Sequence, residues 1–371
     1  DAAFALHEEL KAMGAGDIPA AVDAEIIYGK VEPECIVFLR DCRKAGKTVE
    51  KVVRERGIRI IYRGLASDVE MSGREVRAVK LEDGGVLEAD AVVDATGGAG
   101  PIEMCEKYGH GCVSCVMMCP LFGPRISIAA KAGVNEYAGL RTDGRTPGAY
   151  TEAVTLVKET LSPELQDKLE KMGLVELPTP KELIEPMYER LNEAGRRIHP
   201  REAANKIRLA YTGNVDINQI AYITREELKQ IPGLENALII SPQAGWIGNA
   251  IRFMAISPRD NTLKAEGVEN LFVAGEKVGH LSSITPCYVT GALAGHNAVR
   301  KAAGMELLEL PRTTAIGELI AYSGECQDRL IYMGFTSDRL KELGPYTTDV
   351  KKIHRRIEEL GLTEIFSKKL V

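Results

Sequence analysis

Hydrophobic and polar residues follow two different periods along the first hundred residues. Apolar residues at helical spacing predict a short helix over residues 1–14 and a longer one over residues 35–56, which Gly57 ends. The period then becomes that of β-structure, and strands are predicted over residues 58–63, 65–71, 76–81 and 86–89. Residues 91–94 form an apolar run that ends in Asp94, which is typical of a buried parallel strand.

The pattern changes at about residue 121, where a long, charged and partly helical stretch interrupted by prolines begins. β-Type sequence returns over residues 237–241 and 270–274, and a helix rich in small residues is predicted from Thr285 to about residue 303. We therefore predict an α/β domain in two parts, an inserted α+β substrate or cap domain, and a helical C-terminal region. The predicted boundaries are 1–120 and 226–305 for the two parts, 121–225 for the insertion and 306–371 for the tail.

Composition restricts the classes to which the chain can belong. Its 371 residues are 45% hydrophobic and 27% charged, as in ordinary soluble proteins of one or two domains. The net charge of −6 does not favour a broad basic surface for nucleic acid, although a local basic patch is compatible with it. No apolar run is long enough to span a membrane and no signal peptide is visible, so we expect a cytoplasmic protein. Because the chain begins at Asp1, we expect a trimmed or partial sequence.

The first motif of chemical interest follows the predicted buried strand. Small residues after such a strand let the backbone pass close to a dinucleotide, where a Cβ would clash. An ordinary strand-to-loop transition, with glycines for flexibility, is the alternative. The motif consists of Asp94, Ala95, Thr96, Gly97 and Gly98.

The second motif begins where another predicted strand ends in Gly275 and Glu276. The glycine allows close approach of a ligand, and the carboxylate can accept a hydrogen bond from a ribityl or ribose hydroxyl. A helix then follows, with Thr285 predicted as its N-cap, Pro286 at its first position and Cys287 next. The positive end of this helix suits an anionic reduced isoalloxazine. The alternative is a small-residue helix that only packs.

Five segments occur in an order and spacing that resemble the C-terminal FAD-binding segment of the GidA (MnmG) and TrmFO flavoproteins. They are residues 231–237, 256–258, 262–263, 270–276 and 291–298. The resemblance covers about residues 225–303, and residues 58–98 fit it more loosely. It implies a Rossmann-like FAD-binding domain of the glutathione-reductase type. The residues it implies as FAD ligands are Ala95, Thr96, Gly97, Gly98, Gly275, Glu276, Thr285, Pro286 and Cys287.

The sequence also departs from that family. No G-x-G-x-x-G phosphate-binding loop follows a predicted strand, so we expect this loop on a missing N-terminal segment or on another chain. The tRNA-modifying relatives have Gln where Glu276 stands and a Gly-Tyr segment where Ser282, Ser283 and Ile284 stand. Their catalytic cysteine motif is not found.

Four cysteines lie within fifteen residues and form a C-x6-C-x2-C-x3-C-P pattern. Tight cysteine steps ending in Cys-Pro are typical of ferredoxin-type loops around a [4Fe-4S] cluster, although the first gap is unusual. Buried reduced thiols, a zinc site and a redox disulfide are the alternatives. The candidate metal ligands are Cys105, Cys112, Cys115 and Cys119.

His280 and Cys287 are the candidate catalytic residues, the first as a proton donor near the flavin and the second as a redox thiol at a helix N-terminus. The main hypothesis is an FAD-dependent oxidoreductase that moves electrons between a small-molecule substrate and NAD(P)H or an iron–sulfur partner. One alternative is a tRNA uridine-modifying flavoenzyme, which predicts a basic stripe and a nucleophilic cysteine. The other is a non-catalytic subunit of a redox complex, either a homo-oligomer or paired with a chain that supplies the phosphate loop.

Overall fold

The computed structural model describes most of the chain in twelve stretches. They are residues 2–23, 26–31, 36–40, 42–97, 126–138, 151–186, 205–211, 215–221, 225–244, 255–279, 284–325 and 337–370.

Helices and strands alternate through these stretches. The α-helices are α1 (Ala2–Ala12), α2 (Asp17–Asp23), α3 (Cys42–Glu55), α4 (Ile128–Lys131), α5 (Pro163–Met172), α6 (Arg225–Leu228), α7 (Ile284–Ala302), α8 (Ala315–Glu325), α9 (Ser337–Leu343) and α10 (Val350–Glu359). The strands are β1 (Ile26–Val31), β2 (Ile36–Arg40), β3 (Ala66–Ser72), β4 (Glu75–Leu81), β5 (Val86–Glu88), β6 (Val92–Asp94), β7 (Tyr137–Ala138), β8 (Thr151–Leu156), β9 (Leu174–Pro178), β10 (Lys206–Tyr211), β11 (Val215–Ala221), β12 (Ile239–Ala244), β13 (Ala255–Ile256) and β14 (Leu271–Val273).

The first hydrophobic core surrounds a parallel pair of strands, β6 and β14. All three residues of β14 are buried, and Phe272 is among the largest side chains without solvent contact. Helix α7 packs on β14, and α1 contacts α7, α8 and α10. The C-terminal helices therefore complete the core that the two strands begin, which agrees with the helical C-terminal region predicted from the sequence.

A three-stranded antiparallel sheet lies beside this pair in the order β3-β4-β5, as the sequence predicted. Asn270, which precedes β14, joins the two structures. Its buried amide donates to the carbonyl oxygens of Val76 and Asp90, and its carbonyl oxygen accepts from the Val76 amide at 2.8 Å. One side chain thus satisfies three backbone groups and fixes the sheet against the parallel strands.

A second core belongs to a five-stranded antiparallel sheet of order β12-β8-β11-β10-β9. Helix α5 covers it with Leu165 and Leu169. The ends of α5 follow local rules, because Ser162 caps its N-terminus, Pro163 opens it, and Gly173 ends it with φ +70°. Strand β12 pairs with β8, so this sheet extends beyond residue 225, and residues 239–244 lie in it and not in the predicted second part of the α/β domain.

The short strands β7 and β13 connect the two cores. Tyr137 and Ala138 pair antiparallel with Ile256 and Ala255, just before and after the residues of the five-stranded sheet. Because this pair flanks the five-stranded sheet along the chain, we call it the β7–β13 base of that sheet.

Two predictions of local structure are wrong. The helix predicted over residues 35–56 begins only at Cys42, because residues 36–40 form β2 and pair with β1. The strand predicted over residues 58–63 is not formed: Ile58 and Tyr62 are 55% and 58% exposed, and Arg63 has φ +58°. A strand needs a neighbour for its backbone groups, and no described strand pairs with this segment. Within the described stretches, no helix is both long and apolar enough to cross a membrane.

Candidate functional site

The parallel pairing of β6 and β14 brings the two sequence motifs together. Val273 lies opposite Asp94, and the Ala274 amide donates to the Asp94 carbonyl oxygen at 3.0 Å. Because the strands are parallel, the loops that follow both of them leave from the same edge of the sheet. That edge, at the carboxyl ends of the strands, is where α/β sheets bind ligands.

The loop after β6 is folded by Asp94, whose side chain is fully buried. Its Oδ1 accepts hydrogen bonds from the Thr96 amide at 2.9 Å and from the Thr96 hydroxyl at 2.6 Å. Its Oδ2 accepts from the Ala129 amide at 2.8 Å, near the start of α4. Gly97 follows with φ +86°, a conformation that favours glycine. Asp94 therefore shapes the loop, while Ala95 is exposed and Thr96 and Gly97 are half-buried.

The corner after β14 joins Gly275 to the first turns of α7. Gly275 has φ +72°, and its amide donates to the Thr290 hydroxyl at 2.9 Å. Thr290 in turn donates to the Pro286 carbonyl oxygen at 2.6 Å. A Cβ on Gly275 would lie 3.6 Å from Cys287 Sγ. The structure thus brings Gly275, Pro286 and the exposed Cys287 together, as the sequence motif requires.

The predicted N-cap role of Thr285 is wrong. Helix α7 begins at Ile284, so Thr285 lies inside its first turn, and its hydroxyl is 3.1 Å from His7 Nε2 of α1. Pro286 also lies in the first turn, where its missing amide leaves no intrahelical bond unmade. The side chain of Thr285 is buried, and its hydroxyl links α7 to α1.

One face of α7 is open. Val289, Leu293 and Ala294 are fully buried on the side that packs on the core. On the other side, a Cβ added to Gly291 or Gly295 would meet no atom within 4 Å among the residues that the structure describes. Within the described part of the chain, these glycines are therefore not needed for close packing on the sheet.

Several predicted site residues lie outside the described stretches. They are Gly98, His280 and the four cysteines Cys105, Cys112, Cys115 and Cys119. The backbone of Glu276 belongs to a 3₁₀ turn over Gly275–Val278, but its side chain is not among those described. The described residues contain no group of three or more His, Cys, Asp or Glu side chains placed to hold a metal ion. The iron–sulfur site and the alternatives to it therefore stay predictions.

The sequence analysis missed a buried charged cluster beneath the two loops. Lys277 is fully buried, and its ammonium lies 2.6 Å from Glu136 Oε1, 2.5 Å from Ser127 Oγ and 3.5 Å from Asp94 Oδ2. A lysine directly after Gly275 and Glu276 was the available signal. Its partners lie 141 to 183 residues away along the chain, so no local pattern reveals them.

Comparisons with known proteins agree with this geometry. Residues 208–306 match the family described as Glucose inhibited division protein A (GIDA). The chain is 31% identical over 139 residues to the methylenetetrahydrofolate–tRNA-(uracil-5-)-methyltransferase TrmFO of Streptococcus sanguinis, a match that covers 37% of this chain and 31% of that protein. It is 35% identical over 134 residues to the tRNA uridine 5-carboxymethylaminomethyl modification enzyme MnmG of Chlorobaculum tepidum, covering 32% and 21%.

Among solved structures, GidA of Aquifex aeolicus in its form II crystal has a TM-score of 0.59 and 17% sequence identity. The likeness covers 95% of this chain and 67% of that one. The matched segments thus span about a third or less of the curated relatives, whereas the fold likeness extends over nearly the whole chain. The resemblance predicted from the sequence is confirmed: residues 208–306 are similar to the GIDA family, and the chain has the α/β, Rossmann-type fold of GidA.

Proposed function

We propose that this chain is part of an FAD-dependent enzyme that modifies uridine in tRNA. This was the first alternative of the sequence analysis, and the relatives favour it over the main hypothesis of electron transfer to NAD(P)H or an iron–sulfur partner. Both kinds of curated relative carry tRNA and uracil or uridine in their names. The electron partner and a cytoplasmic location stay predictions.

The observation that carries the FAD part of the proposal is the corner at the carboxyl ends of β6 and β14. Gly97 and Gly275 have positive φ and no side chain, so a ligand can approach their backbone closely. The first turn of α7, the positive end of that helix, follows this corner. Gly275, Pro286 and Cys287 would hold the isoalloxazine end of FAD, with Thr96 and Gly97 on the neighbouring loop. When bound, FAD supplies the redox chemistry, and the protein supplies binding and orientation.

The remaining parts of the site follow from the same proposal. We propose the same domain division as the sequence predicts, with β12 assigned to the inserted sheet because it pairs with β8. The G-x-G-x-x-G loop is not found in these 371 residues, so we propose that the complete FAD site takes it from elsewhere. Cys287, exposed beside Gly275, is the proposed nucleophilic or redox thiol, and His280 the proposed proton donor.

A local excess of positive charge supports the tRNA part. Residues 42–63 contain eight Lys and Arg residues and two Glu residues, hence a net charge of +6 in a chain whose total is −6. Lys47 and Lys51 on α3, and Arg56 and Arg59 after it, are all exposed. Such a segment is our candidate for the basic stripe that the tRNA hypothesis predicts, because phosphate contacts dominate affinity for nucleic acid.

The FAD site is tested with two valine substitutions in protein expressed from its complete coding sequence. Gly275→Val and Gly173→Val both place a side chain at positive φ, which costs roughly 1–2 kcal/mol in either case. Only the first fills the corner beside Cys287. FAD binding is measured by absorption and fluorescence. We expect Gly275→Val, but not Gly173→Val, to bind FAD at least tenfold more weakly than the wild type. A colourless wild-type protein, or equal losses in the two variants, would contradict the proposal.

The tRNA surface is tested by charge reversal. Lys47→Glu with Lys51→Glu reverses two charges on α3, and Lys168→Glu with Lys171→Glu makes the same change on the exposed face of α5. We expect tRNA affinity to fall about tenfold or more, with a shallower salt dependence, only for the α3 variant. Modified uridine in the tRNA, measured by mass spectrometry, gives the activity. Equal effects of both variants would show that α3 is not the binding surface.

A further inference from the structure

Lys277 is a fully buried cation held by several segments that lie far apart in the sequence. Its ammonium contacts Ser127 Oγ, Glu136 Oε1 and Asp94 Oδ2 at 2.5, 2.6 and 3.5 Å. Its carbonyl oxygen accepts from the Ser257 amide at 3.0 Å. The Ser257 hydroxyl closes the cluster by donating to Glu136 Oε1 at 2.6 Å.

The cluster is not an efficient way to stabilise a core. A buried ion pair repays the desolvation of its charges only when its hydrogen bonds are complete, and well-packed apolar residues often do as well. Here two buried carboxylates face one ammonium, and Glu136 Oε2 has no hydrogen-bond partner among the residues that the structure describes. Stability alone therefore does not account for a lysine at this position.

The position of each partner indicates what the cluster does. Asp94 ends β6 and folds the loop at Thr96, while Lys277 lies in the 3₁₀ turn that begins at Gly275. The other partners lie at the base of the inserted sheet: Glu136 directly precedes β7, and Ser257 directly follows β13. Lys277 thus connects both loops of the candidate cofactor site with β7, through the contact of its ammonium with Glu136, and with β13, through the bond of its carbonyl oxygen to the Ser257 amide.

We propose that Lys277 is a positioning residue, which holds the loop at residues 94–97, the turn at residues 275–278 and the β7–β13 base in one relative arrangement. The cofactor-facing edge and the inserted sheet are thereby fixed to each other through one charged group. The inference rests on the proposed function only in assigning FAD to the two loops.

The test compares Lys277→Met with the double variant Lys277→Met/Glu136→Leu. The single change leaves two buried carboxylates without their cation, so we expect a lower midpoint of thermal unfolding. The double change replaces the closest ion pair with apolar groups and is expected to recover most of that midpoint. Leu169→Ala, which opens a cavity in the second core, is the control for destabilisation away from the cluster.

Hydrogen exchange and FAD affinity separate positioning from stability. We expect amides of residues 94–97, 127–136, 255–257 and 275–278 to exchange at least tenfold faster in both Lys277 variants, with FAD binding at least tenfold weaker in both. Leu169→Ala should change neither. If exchange and FAD affinity recover in the double variant together with its unfolding midpoint, the cluster only stabilises the fold and the inference is overturned.

Two further results distinguish a failure of the inference from a failure of the proposed function. A wild-type protein that binds no FAD refutes the proposed function, while the exchange measurement still decides the role of Lys277. If the Lys277 variants do not fold, Ser257→Ala removes one hydroxyl from the cluster and is expected to raise exchange in the same four segments. Unchanged exchange in Ser257→Ala would then overturn the inference.

Discussion

The carboxyl group of Glu9 on α1 offers a sharp test of how this fold responds to pH. Its side chain is buried, and its two oxygens accept hydrogen bonds from the Ala315 and Ile316 amides at 2.7 and 2.9 Å. These amides open α8, so Glu9 links the N-terminal helix to the start of a C-terminal one. Burial raises the pKa of Glu9 from 4.5 to about 7, against the opposing effects of both amides and of Arg356.

The sign of the pH dependence follows from this shift. Since the folded protein binds the proton more tightly than the unfolded chain, Glu9 favours the folded state most below pH 4.5. This contribution is lost as the pH rises through the folded pKa of about 7, and the loss is nearly complete one pH unit above it. Between pH 5 and pH 8, the two pKa values correspond to about 2–3 kcal/mol in the free energy of unfolding.

The assay is urea unfolding of the wild type, Glu9→Gln and Glu82→Gln at pH 5 and pH 8. Glu9→Gln cannot ionise, so the loss of stability between these pH values should be about 2–3 kcal/mol smaller than in the wild type. Glu82→Gln, which removes an exposed carboxyl, should keep the wild-type dependence. If Glu9→Gln loses as much stability as the wild type over this range, the buried carboxyl is not responsible and the reasoning fails.

Three further substitutions test single features of the fold by urea unfolding. Asn270→Ala leaves three backbone groups without partners and should cost about 3 kcal/mol, and a cost below about 1 kcal/mol would contradict the bridging role. Asp349→Ala removes the N-cap of α10 and should cost about 1 kcal/mol, whereas Asp349→Asn should cost less. Leu169→Ala should cost about 2–5 kcal/mol, with faster hydrogen exchange confined to the five-stranded sheet if the two cores unfold separately.

Local signals predicted the elements whose structure is decided locally. The turn between β4 and β5, the buried run that ends at Asp94, and helix α7 were all found from glycines, apolar runs and small residues. The Gly275 corner was also predicted, because a strand, a glycine and a helix start follow one another within a few residues. Parallel pairing of β6 with β14 then brought the two motifs to one edge, as the resemblance implied.

The wrong predictions share a different cause, which is that long-range partners decide the structure. Residues 36–40 could continue a helix by their spacing, but β1 offers them a partner strand and their β-branched residues favour it. Residues 58–63 have the composition of a strand and no described neighbour, so their apolar side chains remain exposed. The two segments have similar propensity for β-structure. Residues 36–40 form a strand because a partner strand is present, and residues 58–63 form none because no described strand pairs with them.

Lys277 marks the limit of sequence reasoning in the site itself. A lysine in a loop is read as a solvated charge, because most lysines are exposed and flexible. In the folded protein, the segments that contain Asp94, Glu136 and Ser257 lie together around Lys277. Only this arrangement offsets the cost of burying its ammonium. The place of the lysine directly after Gly275 and Glu276 was the one local signal, and it does not reveal partners that lie 141 to 183 residues away, so the role of Lys277 could be recognised only from the folded arrangement.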